Sequence, residues 1–202
     1  MEPYEIVSGP LTLYLAPVGT AFPKIDEAPA ADWKIVGLSG KKSYSDDGVS
    51  VAHSQSINKI RGAGSVGGRK ALRTEEDMGI TVTLWDNTLE MYALALSGEE
   101  PATTAAGVGT AGFKTIGLSR GEEVKQFALL ARGKSAYDEA MAAQYEVPRC
   151  YQAASPTVLY NKGVPAGIEL NFDALEDLEA ESEYEQFGRL VMQHAAALPG
   201  GG

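Results

Sequence analysis

Cysteine, histidine and tryptophan are scarce in this 202-residue chain, which has one Cys, two His and two Trp. A lone cysteine, Cys150, excludes an internal disulfide framework and fits a protein that folds in a reducing cytosol. It lies in an alternating, strand-like stretch and reads as a buried structural thiol rather than a nucleophile. His53 and His194 stand at no metal-ligand spacing, so neither a metal nor another cofactor is expected. Trp33 and Trp85 both read as buried, which leaves a carbohydrate-binding β-sandwich without its aromatic platform. No run approaches the roughly 20 apolar residues of a membrane span. The opening MEPYEIVSGP carries Glu2 and Glu5 and no apolar stretch, so no signal peptide is expected.

The recurrent catalytic signatures are missing too. There is no G-x-S-x-G elbow, and Gly133-Lys134-Ser135 lacks the preceding glycine of a phosphate-binding loop. Gly62 to Gly68 is glycine-rich, but no helix follows it, so a hairpin tip explains it better than a nucleotide site. Ser45-Asp46-Asp47-Gly48 lacks the distal ligands of a calcium loop and reads as a turn. Enzymatic activity is not expected.

What remains is an ordinary globular composition, 44% hydrophobic and 22% charged, with a formal net charge of −10. That acidity argues against a general nucleic-acid binder. The chain reads as a single domain over residues 1–202, mainly β and punctuated by Gly and Pro. Met78, Ile80, Val82 and Leu84 alternate with polar neighbours, the period of a half-buried antiparallel strand. Leu11–Leu15, Trp33–Leu38, Phe113–Leu118, Val124–Arg132, Ala143–Tyr151 and Val164–Phe172 read as further strands. Phe127–Ala131 is apolar on both faces and is expected to be the most buried. Asp86-Asn87-Thr88 supplies N-cap candidates for one short helix over Leu89–Leu96, closed by Gly98. Residues 101–112 read as a flexible loop. For residues 175–195 a helix competes with an acidic loop followed by a closing strand; Gly188 favours the loop and strand. Residues 196–202 read as a frayed tail.

One segment stands apart. Residues 41–73 read as an extended arm whose far part contains Lys59, Arg61, Arg69, Lys70 and Arg73, with no Asp or Glu between Val49 and Arg73. So polar an arm cannot hold itself by burial, and it is expected to pack against another molecule. The opposite charge gathers at Glu176, Asp177, Glu179, Glu181, Glu183 and Glu185.

The order of segments LTLYLAPVGTAFP, DWKIVGLSG, SYSDDGVSVAHSQ, ALRTEEDMGITVTLWDNTLEMYALALSG, EVKQFALLARGKSAY, YEVPRCY and KGVPAGIELNFDALED resembles the major tail tube protein of long-tailed (siphovirus-type) bacteriophages. The strongest piece is the T-E-E-D strand running into D-N-T-L-E. The resemblance implies a β-sandwich or half-barrel with a flanking helix. It implies six copies per ring, with rings stacked into a hollow tail tube through which double-stranded DNA passes unbound. It also implies a tape-measure protein and other tail proteins as partners, assembly in the host cytoplasm and a place in the virion. The family shares its fold with minor tail components such as terminator or baseplate rings, which stay as the alternative alongside a carbohydrate-binding module.

Within that picture the arm is expected to make the inter-ring contact. About 15 extended residues reach roughly 50 Å, comparable to the ~40 Å diameter of a domain this size. Its expected partner is the acidic surface at Glu176–Glu185. Some of Thr81, Thr83, Glu146, Glu169 and Asp173 are expected to line the lumen, where acidic walls repel phosphates.

Overall fold

The computed structural model describes residues 7–139 and 141–196. Ten strands follow in chain order: β1 (Val7–Ala16), β2 (Lys34–Ile35), β3 (Tyr44–Arg61), β4 (Gly68–Leu84), β5 (Ala102–Thr104), β6 (Phe113–Thr115), β7 (Gln126–Ser135), β8 (Ala142–Gln152), β9 (Ile168–Ala174) and β10 (Arg189–Met192). One helix, α1 (Leu89–Ala95), interrupts them. Eight strands form one antiparallel sheet in the order β2-β1-β7-β8-β9-β4-β3, with β10 on β8 beside β9. The tail expected over 196–202 lies, apart from residue 196, outside the described residues.

The sheet folds over so that its two halves face each other, giving a mainly β, sandwich-like fold. Leu13, Leu129 and Val147 from one half meet Ile80, Val82, Leu170 and Phe172 from the other in one core. The alternation of β4 places Met78, Ile80, Val82 and Leu84 inward, as their spacing predicts. Tyr44 ties the first and third strands together. Its hydroxyl accepts from Leu13 N and donates to Val36 O, both at 3.0 Å.

β7 is covered on both sides, as Phe127–Ala131 predicts. Leu129 and Ala131 face the main core, while Ala128 and Leu130 pack under Trp33 and Phe22 of the loop that follows β1. Thr88 caps α1 by accepting from Met91 N at 3.3 Å. The closing segment is an acidic loop with a 3-10 turn at Glu183–Glu185, then β10.

Several expectations need correction. Trp85 is 44% exposed, because the sheet ends at Leu84 and the next side chain falls outside it. Residues 102–104 are not a loop; they pair with 113–115 as a separate two-stranded sheet. The expected strand Trp33–Leu38 narrows to Lys34–Ile35, since Gly37 turns the chain with φ +80. The last long strand begins at Ile168, four residues after Val164.

Candidate assembly surfaces

β3 and β4 stay paired from Val49↔Val82 out to Arg61↔Gly68, well beyond the core. Residues 52–61 and 68–77 are all exposed. The tip is the glycine-rich turn, closed by Ser65 N donating to Gly62 O at 3.0 Å. The register slips between Ser56 and Ile57, leaving Thr74 unpaired in the ladder; its hydroxyl donates to Ser56 O at 3.2 Å. The arm is thus a real hairpin, but its exposed part begins at Ala52 rather than at residue 41, because Gly40–Ser43 form a 3-10 turn and Tyr44, Val49 and Val51 pack into or against the core, and it runs on to Asp77 rather than ending at Arg73. Its charge is divided along its length. Lys59, Arg61, Arg69 and Lys70 hold the outer part with no ion-pair partner among the described residues. Arg73 departs from the expected set. It bonds Glu76 at 2.8 Å and Gln55 at 3.0 Å, so its charge is answered within the arm.

Thr81, Thr83, Glu169 and Asp173 come together on the outward face of β4 and β9, where Thr83 opposes Glu169 and Gly79 opposes Asp173. Asn171 links them, accepting from Thr81 Oγ1 at 2.9 Å and donating to Asp173 at 3.0 Å. The pairing of β4 with β9, which neither strand's own pattern announces, brings these four side chains onto one face as a polar strip.

Glu146 does not belong to that strip. It is buried on the outward side of β8, held by Gln144 and by Arg189 Nε at 2.6 Å. Arg132 from β7 also donates to Gln144 and to the backbone oxygens of Lys24 and Glu27. Burial lowers the Arg132 pKa. These groups pin the loop after β1 onto the sheet rather than presenting a charged wall. A buried carboxylate and a solvated one look alike in sequence, and its cation lies 43 residues away.

The acidic residues Glu176, Asp177, Glu179, Glu181, Glu183 and Glu185 form a surface loop closed by Asp177 N donating to Gln186 O at 2.9 Å. All but Asp177 are exposed. The loop starts after Ala174, the last residue of β9, and Asp177 and Glu179 stand beside Val18, Thr20, Pro148 and Arg149.

A further surface escaped the sequence reading. An open groove of about 730 Å³ runs between α1 and the edge formed by β1, β2 and the start of β7. Leu15, Ile35, Met91, Leu94 and Phe127 give it an apolar lining. Asp32, Glu90, Glu99 and Glu100 stand around it with Lys34 and Lys125. Lys114 bonds Glu90 at 2.5 Å, which lowers that carboxyl's pKa. Its lining comes from four separated segments, which hides it from a linear reading. The one local signal is Glu99-Glu100 just beyond the end of α1, where acids are disfavoured by the helix dipole.

Among the described residues no group of three or more His, Cys, Asp or Glu could hold a metal ion. No helix among them is long and apolar enough to cross a membrane. In comparisons with known proteins, no family model matches this chain. No curated protein matches it either.

Proposed function

We propose that this chain is a structural subunit of a bacteriophage tail tube. Six copies form a ring, and rings stack into a hollow conduit for double-stranded DNA, built in the host cytoplasm together with a tape-measure protein. The observation that carries the reading is the arm. A two-stranded ribbon with every residue of 52–61 and 68–77 exposed is marginal in isolation and is expected to gain its order from a neighbour. Among the described residues β3 also leaves one edge of the sheet unpaired along its 18 residues, a template that a closed ring would cover. The polar strip of Thr81, Thr83, Glu169 and Asp173 is the candidate lumen wall; its two carboxylates would repel DNA phosphates. The reading gives the protein no catalytic role.

Negative-stain electron microscopy of the purified chain, concentrated at low and high salt, tests it. Hollow tubes of uniform width or stacked rings are expected. Single rings that never stack favour the terminator or baseplate alternative. Monomers under every condition overturn self-assembly by this chain alone.

A further inference from the structure

The arm tip and the groove beside α1 lie at opposite ends of β4. That strand has 17 residues, and at about 3.3 Å each the tip stands roughly 50 Å from Leu84, after which the chain enters α1. Because the hairpin is paired all the way to Arg61↔Gly68, its tip does not turn back to its own groove. The two surfaces are complementary. The groove has an apolar lining and four acids, of which Glu90 is paired with Lys114 and Glu100 with Lys34, while Asp32 and Glu99 have no ion pair among the described residues. The tip carries Val66 at 99% exposure, with the exposed Ile60 and Leu72 behind it. Register places Asn58↔Leu72 and Ile60↔Lys70 in alternate pairs, with Lys59↔Ala71 between them, so Ile60 and Leu72 share one face of the ribbon, together with Lys70. Lys59 and Arg61 alternate with Ile60 and lie on the other face, and Arg69 falls at the register shift next to the tip.

We propose that the groove beside α1 receives the arm tip of a second copy of this chain, with Val66, Ile60 and Leu72 against the apolar lining and Lys70, on the same face, with Arg69 near the tip reaching Asp32 and Glu99, the two acids of the groove that have no ion pair among the described residues. The inference rests on the reading of the chain as a self-assembling subunit and names where its arm goes. The acidic loop at Glu176–Glu185 is the poorer seat, since the hollow beside it, at Asp177 and Glu179, holds about 210 Å³ against about 730 Å³ for the groove. A contact that joins the tip of one copy to the groove of the next is heterologous and repeats without closing along the axis, as a tube requires.

Engineered cysteines test this, because the native Cys150 is buried and stays silent. Val66→Cys and Glu99→Cys proteins are mixed at low salt, scored for particles by microscopy, oxidised mildly and run on non-reducing gels. The expected result is a disulfide-linked dimer at least about tenfold more abundant than with either variant alone. Adding Ile60→Asp and Leu72→Asp to the Val66→Cys protein lowers that yield by about tenfold; both sites are exposed, so the fold is retained. If Val66→Cys instead links to Glu181→Cys, the arm still joins subunits but through the acidic loop, and the groove inference falls. Tubes that form without the Val66–Glu99 link overturn it too, while leaving the tube reading in place. Absence of both particles and link brings down the groove inference together with self-assembly.

Discussion

Arg189 Nε meets the Glu146 carboxylate at 2.6 Å and so fastens β10 to β8. The two partners differ in setting: the Glu146 side chain is 5% exposed, the Arg189 side chain 55%. The hydrogen bond to Glu146, with the attraction of its charge, raises the Arg189 pKa. Arg189→Leu leaves a buried carboxylate with Gln144 as its remaining donor. Breaking a fully buried pair costs about 3–5 kcal/mol. With one partner half in water, a loss of about 1–3 kcal/mol is expected. Urea unfolding should show a lower midpoint with an unchanged slope.

Gly188 enters β10 with φ +109, and a Cβ there would collide with the backbone carbonyl of Glu146. Gly188→Ala is expected to cost about 2–4 kcal/mol from backbone strain and overpacking together. Hydrogen exchange should find the amides of β10 opened more than those of β4.

Tyr44→Phe removes the hydroxyl that joins Leu13 N to Val36 O. Both backbone groups then lose a buried partner, and a loss of about 1–3 kcal/mol is expected in thermal or urea unfolding. Retention of wild-type stability would show that water replaces the hydroxyl.

Burial, with a smaller contribution from Asp173, pushes the Cys150 thiol from its ordinary 9.0 up to about 12. The unfolded chain releases this proton first. The resulting stability is therefore complete below about pH 9 and is lost as pH rises toward 12. A thiol reagent at pH 8 should leave the native protein unlabelled and label it fully in denaturant. Labelling of the native protein at a comparable rate would contradict the burial.

Lys59→Glu with Arg61→Glu reverses charge on the outer arm without touching the core. Tube growth is expected to stop, while unfolding of the monomer shifts by no more than about 0.5 kcal/mol. In the wild type, added salt should weaken assembly through screening. Long tubes from the double variant would remove the arm cations from the assembly mechanism.

Where periodicity was dense, the sequence disclosed the fold. The alternation Met78–Leu84, the double-sided apolar run Phe127–Ala131 and the cap at Thr88 each found the predicted setting. Gly188 correctly argued against a C-terminal helix, and its positive φ gives the reason. Failures arose where the deciding partner was distant or the strand ended. Trp85 sits one residue past the last inward position of β4. Glu146 is enclosed by Gln144, Arg189 and a loop that begins after β1. The pairing of 102–104 with 113–115 was missed on one side only: Phe113 opens an expected strand, whereas Ala102-Thr103-Thr104 sits among small residues that read as loop. Of the assembly surfaces, the hairpin arm and the polar alternation of Thr81, Thr83, Glu169 and Asp173 were readable from local pattern; that β4 and β9 lie side by side was not. The groove was not, because no single segment contains enough of it.

Thr74 changes the phase of one strand. On β3, odd-numbered residues keep the core side from Val51 through Arg61, whereas β4 holds that side with even numbers down to Glu76 and with odd numbers at Arg73 and Ala71. Under an unbroken two-residue rhythm Leu72 would share a side with Met78. The extra residue sends it across the ribbon, to the side that bears Ile60 and Lys70. A one-residue deletion there would exchange the two sides of the outer β4 and leave β3 as it is, scattering a matched set of side chains without altering a single one of them.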